Sequence, residues 1–287
     1  MGCENRLRGN VPAPSSASMS NCSSAKAVTP HSILTSKLIE LEDQLDASQI
    51  TEGARKTLRK CVDLATGLDS YLDQVSTKPS EELAELELAT RQTDWDNEFE
   101  QSTTDLHLEQ EMISGGLEGQ FLRLIVRIVR PKRVLEIGTF TGYSAMAMAE
   151  ALDADAELIG CEFDSYAAEF ARRHLTNAGF ENRVKIFEGD ALETLASLDG
   201  QFDLVFIDAD KTGYLNYYNL LFSHNLVSSG SLILIDNSLY QGEVYSAGEV
   251  SANGEAVRQF NALVAADARV DQVLLPLRDG VTIIRVN

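Results

Sequence analysis

From Gly119 onward, short apolar runs alternate with amphipathic segments, and this alternation constrains the fold more than any other feature of the chain. The runs lie at 133–137, 157–163, 184–188, 202–207, 231–235, 270–276 and 281–286. Helical periodicity at 144–152, 165–178, 191–198, 214–221 and 254–266 separates the first six. A run that returns to its neighbour through a helix builds a parallel sheet covered on both faces. Only Arg278-Asp279-Gly280 joins the last two runs, too short for a crossover, so they must be antiparallel neighbours. The expected fold is α/β: a doubly wound, seven-stranded, mostly parallel sheet ending in an antiparallel hairpin.

Upstream, no strand pattern appears. Thr29-Pro30 is a helix-start signal, and Leu34, Leu38, Leu41 and Leu45 follow at helical spacing. A second helix is expected over 52–65, punctuated by Gly67 and Asp69. Lys78-Pro79 marks a break, and further helices are expected over 80–90 and 94–111. Residues 1–28, rich in Ser, Ala, Asn and Pro, read as a disordered tail. The chain thus divides into a tail (1–28), a helical appendage (29–111) and a sheet domain (112–287). Trp95 and Phe99, at i and i+4, are expected to pack the appendage onto the sheet domain or a partner subunit, and the appendage to form a homodimer contact.

Charge excludes several partners. With 24 Lys+Arg against 44 Asp+Glu the chain carries −20, so neither nucleic acid nor an anionic membrane surface is expected to bind it. No apolar run reaches the length of a bilayer span, and no apolar signal segment opens the chain. Met1-Gly2-Cys3 lacks the Ser or Thr at position 6 that myristoylation favours. Cys3, Cys22, Cys61 and Cys161 are dispersed, which fits a reducing, cytoplasmic setting.

The chemistry-bearing residues fall where the runs end. The first run leads into Glu136-Ile137-Gly138-Thr139-Phe140-Thr141-Gly142, a strand–loop–helix turn that suits a nucleotide-like ligand. Its Gly-x-x-x-Gly spacing differs from the pyrophosphate fingerprint. Glu162, ending the second run, can accept both hydroxyls of a ribose, and Gly189-Asp190-Ala191-Leu192 lies at the adjacent edge, where an adenine ring would fit. The fourth and fifth runs deliver Asp208-Ala209-Asp210-Lys211 and Asp236-Asn237. Buried acids at adjoining strand ends are costly unless neutralised. Asp208, Asp236 and Asn237 offer only oxygen, a donor set for Mg²⁺, Mn²⁺ or Ca²⁺.

The stretches MISGGLEGQF (112–121), LEIGTFTGYS (135–144), FIDADK (206–211), DNSL (236–239) and DGVT (279–282) resemble the class I S-adenosylmethionine-dependent, cation-dependent O-methyltransferases of the caffeoyl-CoA and catechol group. That resemblance implies donor contacts at Met112, Ser114, Glu136, Gly138, Thr139, Tyr143, Ser144, Glu162, Asp190, Ala191, Asp208 and Asp210, with Asp208, Asp236 and Asn237 as metal ligands. It places Lys211 as general base, with Asp208 beside it in catalysis. Asp208, Lys211, Asn237, Tyr240, Gln241 and Arg278 then face a small-molecule acceptor. Tyr240 stands where plant members have Trp, Gln241 where they have Asn, and Arg278 where they have Gly; these departures argue against a phenylpropanoid-CoA acceptor. The appendage segments TPHSIL (29–34) and GLDSYLD (67–73), with LEQEM (108–112) and ANGEA (252–256), are similar to the O-methyltransferase of mycosporine-like amino acid biosynthesis, which implies desmethyl-4-deoxygadusol as acceptor.

Two other readings use the same residues. A nicotinamide-dependent dehydrogenase would suit the β-α pattern and Glu162, but not the closing hairpin or the Asp208/Asp236/Asn237 group. A non-catalytic scaffold would not need the donor and metal motifs intact.

Overall fold

The computed structural model describes residues 26–45 and 50–287. Most of the expected tail, together with Cys3 and Cys22, lies outside them. Seven strands form one sheet: β1 (Arg133–Ile137), β2 (Glu157–Glu162), β3 (Val184–Glu188), β4 (Leu204–Ile207), β5 (Leu232–Ile235), β6 (Val270–Leu275) and β7 (Val281–Val286). Their order is β3-β2-β1-β4-β5-β7-β6. The first five pair in parallel, while β7 runs antiparallel to both β5 and β6. This is the doubly wound sheet with a terminal hairpin that the alternation predicts. The strand order reverses between β1 and β4, the point at which open α/β sheets leave a crevice beyond their carboxyl ends.

Ten α-helices are described: α1 (Pro30–Gln44), α2 (Glu52–Val75), α3 (Glu81–Gln92), α4 (Trp95–Glu100), α5 (Gly115–Val129), α6 (Tyr143–Ala149), α7 (Ser165–Asn177), α8 (Ala191–Ser197), α9 (Tyr214–Ser223) and α10 (Ala252–Ala266). Their starts follow capping chemistry. Thr29 and Ser32 form a capping box on α1 with Pro30 at its first turn, while Ser80, Asp164 and Ser251 cap α3, α7 and α10 with their side chains.

Two apolar layers sandwich the sheet. One joins α5, α6 and α7 to Leu83 and Leu86 of α3; the other joins α8, α9 and α10 through Tyr214, Tyr218 and Phe260. Each such side chain, fully withdrawn from water, contributes about 1.5–3 kcal/mol. Tyr214, Tyr217 and Tyr218, at i, i+3 and i+4, are buried on α9.

The appendage departs from expectation in three places. Helix α2 runs unbroken from Glu52 to Val75, because Gly67 sits on an open face and costs only its propensity. The helix expected over 94–111 stops at Glu100; Ser102 then takes a left-handed backbone (φ 56°), and a short 3₁₀ turn, Gln110–Met112, follows. Residues 115–129, for which no helix is expected above, form α5, whose buried face packs on α6. Among the described residues no helix is long and apolar enough to cross a membrane.

Candidate active site

A cleft of about 900 Å³ opens over the carboxyl ends of β1, β2, β4 and β5. It gathers Met112, Ser114, Gly138, Thr139, Tyr143, Ser144, Glu162, Asp190, Ala191, Asp208, Asp210, Lys211, Asp236, Asn237, Tyr240, Gln241 and Arg278. Of the residues singled out from sequence, only Glu136 does not line it. Glu136 is fully buried under the loop; burial, the largest influence, pushes it up to about 8, and the neighbouring Ser144 and Thr139 hydroxyls pull it back. Glu136 sits in β1, two residues before Gly138.

The loop after β1 is shaped for close approach. At Gly138 (φ 90°), a Cβ would stand 2.1 Å from the Asp208 carbonyl oxygen, so only glycine fits. Phe140 adopts φ 48°, and its N–H donates to Glu162 Oε2 at 2.6 Å, while Glu162 Oε1 accepts from Asp164 N at 2.9 Å. Burial raises Glu162, the largest influence, and these backbone donors pull it back. These bonds hold its carboxyl at the strand tip, where the residue lines the cleft. Asp190 caps α8 by accepting from Leu192 N (2.7 Å), and Asp210 accepts from the hydroxyls of Tyr217 and Thr212.

The other half is built by strand register. β4 and β5 pair Ile207 with Ile235, so the next residues, Asp208 and Asp236, emerge side by side. Asp236 is 5% exposed and its Oδ1 has no partner. Burial, then the Asp208 charge, pushes Asp236 up to about 6. Lys211 spends all three ammonium N–H bonds, on Ala209 O (2.9 Å), the Tyr214 hydroxyl (2.9 Å) and Asp208 Oδ1 (3.1 Å). Tyr214 in turn donates to Asp236 O at 3.0 Å. Burial alone would lower Lys211, but Tyr214, Asp208 and Asp236 outweigh it and hold the ammonium above the ordinary lysine range.

Among the described residues no group of three or more His, Cys, Asp or Glu side chains is placed to hold a metal. The set here is two carboxylates and one amide. The unpartnered Asp236 oxygen beside a second carboxylate is what a divalent cation would satisfy, and the donor atoms are the hard oxygens such a cation takes.

Sequence reading missed three polar residues of this half. Glu118 on α5 is 1% exposed; its Oε2 pairs with Arg278 at 3.0 Å and its Oε1 has no partner. Burial, then the Asp236 charge, drives it well above the carboxylate range. Asp279 accepts from Gln241 N at 2.6 Å and is pushed up to about 7, chiefly by burial. Asn253 reaches the Tyr240 hydroxyl at 3.0 Å. A lone Glu among apolar α5 residues was the available signal for Glu118. Backbone strain concentrates here too. Five of the eight described non-glycine residues with positive φ line the cleft: Phe140, Asn237, Tyr240, Gln241 and Arg278.

Comparison with known proteins agrees with this architecture. Residues 87–287 match the family model described as O-methyltransferase. Caffeoyl-CoA O-methyltransferase 2 of Populus trichocarpa is 30% identical over 256 residues, covering 85% of this chain and 96% of that protein. A probable caffeoyl-CoA O-methyltransferase 2 of Dictyostelium discoideum is 33% identical, covering 67% of this chain and 85% of that protein. Among solved structures, the SAH-bound Podospora anserina methyltransferase PaMTH1 superposes with a TM-score of 0.69 at 31% identity, covering 78% of this chain and 96% of the other. The O-methyltransferase TomG of Streptomyces achromogenes, involved in tomaymycin synthesis and solved with SAM, gives 0.64 at 28% identity, covering 77% and 96%. A chain with this sheet order, this strand-tip cleft and these relatives belongs to the O-methyltransferase family.

Proposed function

We propose that the chain transfers a methyl group from S-adenosylmethionine to an enol or hydroxyl oxygen of a small, cation-chelating acceptor, and that the acceptor is desmethyl-4-deoxygadusol, giving 4-deoxygadusol. The observation that carries this reading is the pair of strand-tip carboxylates, Asp208 and Asp236, with an unpartnered Asp236 oxygen beside the fully engaged Lys211 ammonium. Relatives solved with SAM or SAH support the donor. The donor's adenosine fits the half of the cleft bounded by Gly138, Glu162, Asp190 and Ala191.

Asp208, Asp236 and Asn237 would hold a divalent cation, Mg²⁺ first, which would supply chelation of two acceptor oxygens and acidify the one to be methylated. The protein's own contribution is positioning, so that acceptor oxygen, methyl carbon and sulfur align. Lys211, held by Asp208, Tyr214 and Ala209, would stand as a positive charge beside the oxyanion of an acidic enol, an acceptor that needs no strong base. The acceptor half also favours a polyhydroxylated molecule, since Gln241, Asn253 and Arg278 surround it and Tyr240 is the aromatic ring among them.

A second reading, a caffeoyl-CoA or catechol type of acceptor, is supported by the named plant and Dictyostelium relatives. We read the enzyme further as a cytoplasmic homodimer, because Leu64, Leu68, Tyr71 and Val75 leave an apolar stripe exposed on α2. One assay separates the acceptors: methyl transfer to desmethyl-4-deoxygadusol, a catechol and caffeoyl-CoA compared side by side, with and without EDTA. Turnover of only the latter two, or turnover untouched by EDTA, would overturn the corresponding part of this reading.

A further inference from the structure

The appendage touches the donor loop through Thr90 and through Trp95, the only tryptophan in the chain. Trp95 is 4% exposed at the start of α4. Its ring lies 5.1 Å from that of Phe140, centroid to centroid, and 6.0 Å from those of Tyr166 and Phe170 on α7. Its indole N–H donates to Thr90 O at 2.9 Å. Thr90, itself fully buried, shares a 2.9 Å hydrogen bond between its hydroxyl and that of Thr141. Phe140 and Thr141 are the third and fourth residues of the Gly138–Gly142 loop, so two of its five residues are gripped from the appendage.

The grip closes on itself. Asp164, also fully buried, accepts from Asp105 N at 2.7 Å through Oδ2 and from Ala167 N at 3.0 Å through Oδ1, and its own N–H reaches Glu162. Glu162 in turn binds Phe140 N. The chain from α3 to residue 105 therefore meets the loop at one end and the ribose-side carboxylate at the other. Phe140 needs such support, because a bulky side chain at φ 48° does not hold that conformation unaided.

We propose that Trp95 is a positioning residue for the methyl donor: by packing on Phe140 it holds the Gly138–Gly142 loop in its ligand-ready shape, so that docking of the α3–α4 segment and donor binding stabilise each other. This rests on the donor assignment made above. Two sites that share one loop are coupled by whatever free energy each gives to the same loop conformation.

The test uses the full chain and S-adenosylhomocysteine as probe. In the wild type, titration should shift Trp95 emission with the same Kd that calorimetry reports. Trp95→Ala should raise that Kd and the donor KM about tenfold, leave the acceptor KM within about twofold, and leave the far-ultraviolet spectrum native. Trp95→Phe, which keeps a ring against Phe140, should recover most of the loss. Should Trp95→Ala not fold, Thr90→Val removes the hydroxyl bond to Thr141 at constant shape, and a Kd raised about threefold or more is expected. A folded Trp95→Ala or Thr90→Val whose donor Kd matches wild type overturns the inference while the donor assignment stands. Wild-type protein that ignores S-adenosylhomocysteine sinks both.

Discussion

Arg278, on the turn between the last two strands, places Nη1 3.0 Å from Oε2 of Glu118 on α5, a carboxylate 160 residues earlier in the chain. The same guanidinium also donates to Ile113 O at 3.2 and 3.3 Å, so the hairpin turn is tied to the segment entering α5. Arg278 does this from a left-handed backbone (φ 49°), which its side-chain contacts must offset. Glu118 is almost wholly removed from water, whereas Arg278 keeps 27% of its side chain exposed, so the loss of either partner is unequal.

Arg278→Met should destabilise the protein by about 2 kcal/mol, because it removes the guanidinium's hydrogen bonds to the buried Glu118 carboxyl and to Ile113 O and leaves those acceptors without a donor. Glu118→Gln should cost less, since the amide oxygen can still accept from Arg278. Urea unfolding of the two variants checks the order; an equal loss in both would show that the Arg278–Glu118 contact is not what ties the hairpin turn to α5.

Asp236→Ala should lower kcat by about 100-fold or more while the Kd for S-adenosylhomocysteine stays within about twofold of wild type. The carboxylate lies in the acceptor half, away from Glu162 and Asp190. EDTA should mimic the variant in the wild type, and Mg²⁺ or Mn²⁺ should reverse it. Calorimetry alongside the methylation assay separates the two halves of the cleft.

Gly138→Ala should abolish donor binding and destabilise the fold by about 3 kcal/mol or more, since the new methyl would meet the Asp208 carbonyl oxygen at 2.1 Å at a φ of 90°. Gly67→Ala is the control: it faces open space within α2 and should stabilise slightly, by about 0.5–1 kcal/mol. Thermal unfolding of both variants makes the comparison.

Glu136 supplies a pH dependence. Its folded value, about 8, exceeds its unfolded value near 4.5, so between these the native state binds the extra proton. Stability from this group is therefore full below about pH 4.5 and is lost as pH rises toward 8. Glu136→Gln should abolish that loss, raising the midpoint of the ligand-free protein at pH 8.5 by about 5 °C and changing it little at pH 5. Identical shifts at both values would mean that Glu136 is ionised throughout.

Much of the site was legible because strand ends are legible. An apolar run that stops at Asp208 or Asp236 puts that side chain at the sheet's rim whatever the rest of the chain does, and parallel register then sets the two acids side by side. Glu162 and Gly138 follow from the same rule. Glu136 shows its limit: two residues before the tip at Gly138 it is fully buried, and the period of two that marks a half-buried strand is absent where both sheet faces are covered. Helix α2 was read short because Gly67 and Asp69 look like punctuation, whereas an exposed face tolerates both. The helix expected over 94–111 was cut at Glu100 by a left-handed turn at Ser102, which no local pattern announces.

The order of apolar runs and turns, by itself, determined the parallel sheet, its antiparallel close and the strand tips that carry the acids, because those depend on periodicity and on connection length within a few tens of residues. Tertiary structure alone decided that Arg278 would reach Glu118, that Trp95 would rest on Phe140, and that Asp236 would keep an oxygen without a partner. Such contacts join segments far apart in sequence, and their energy comes from desolvation and packing that exist only once the layers have closed.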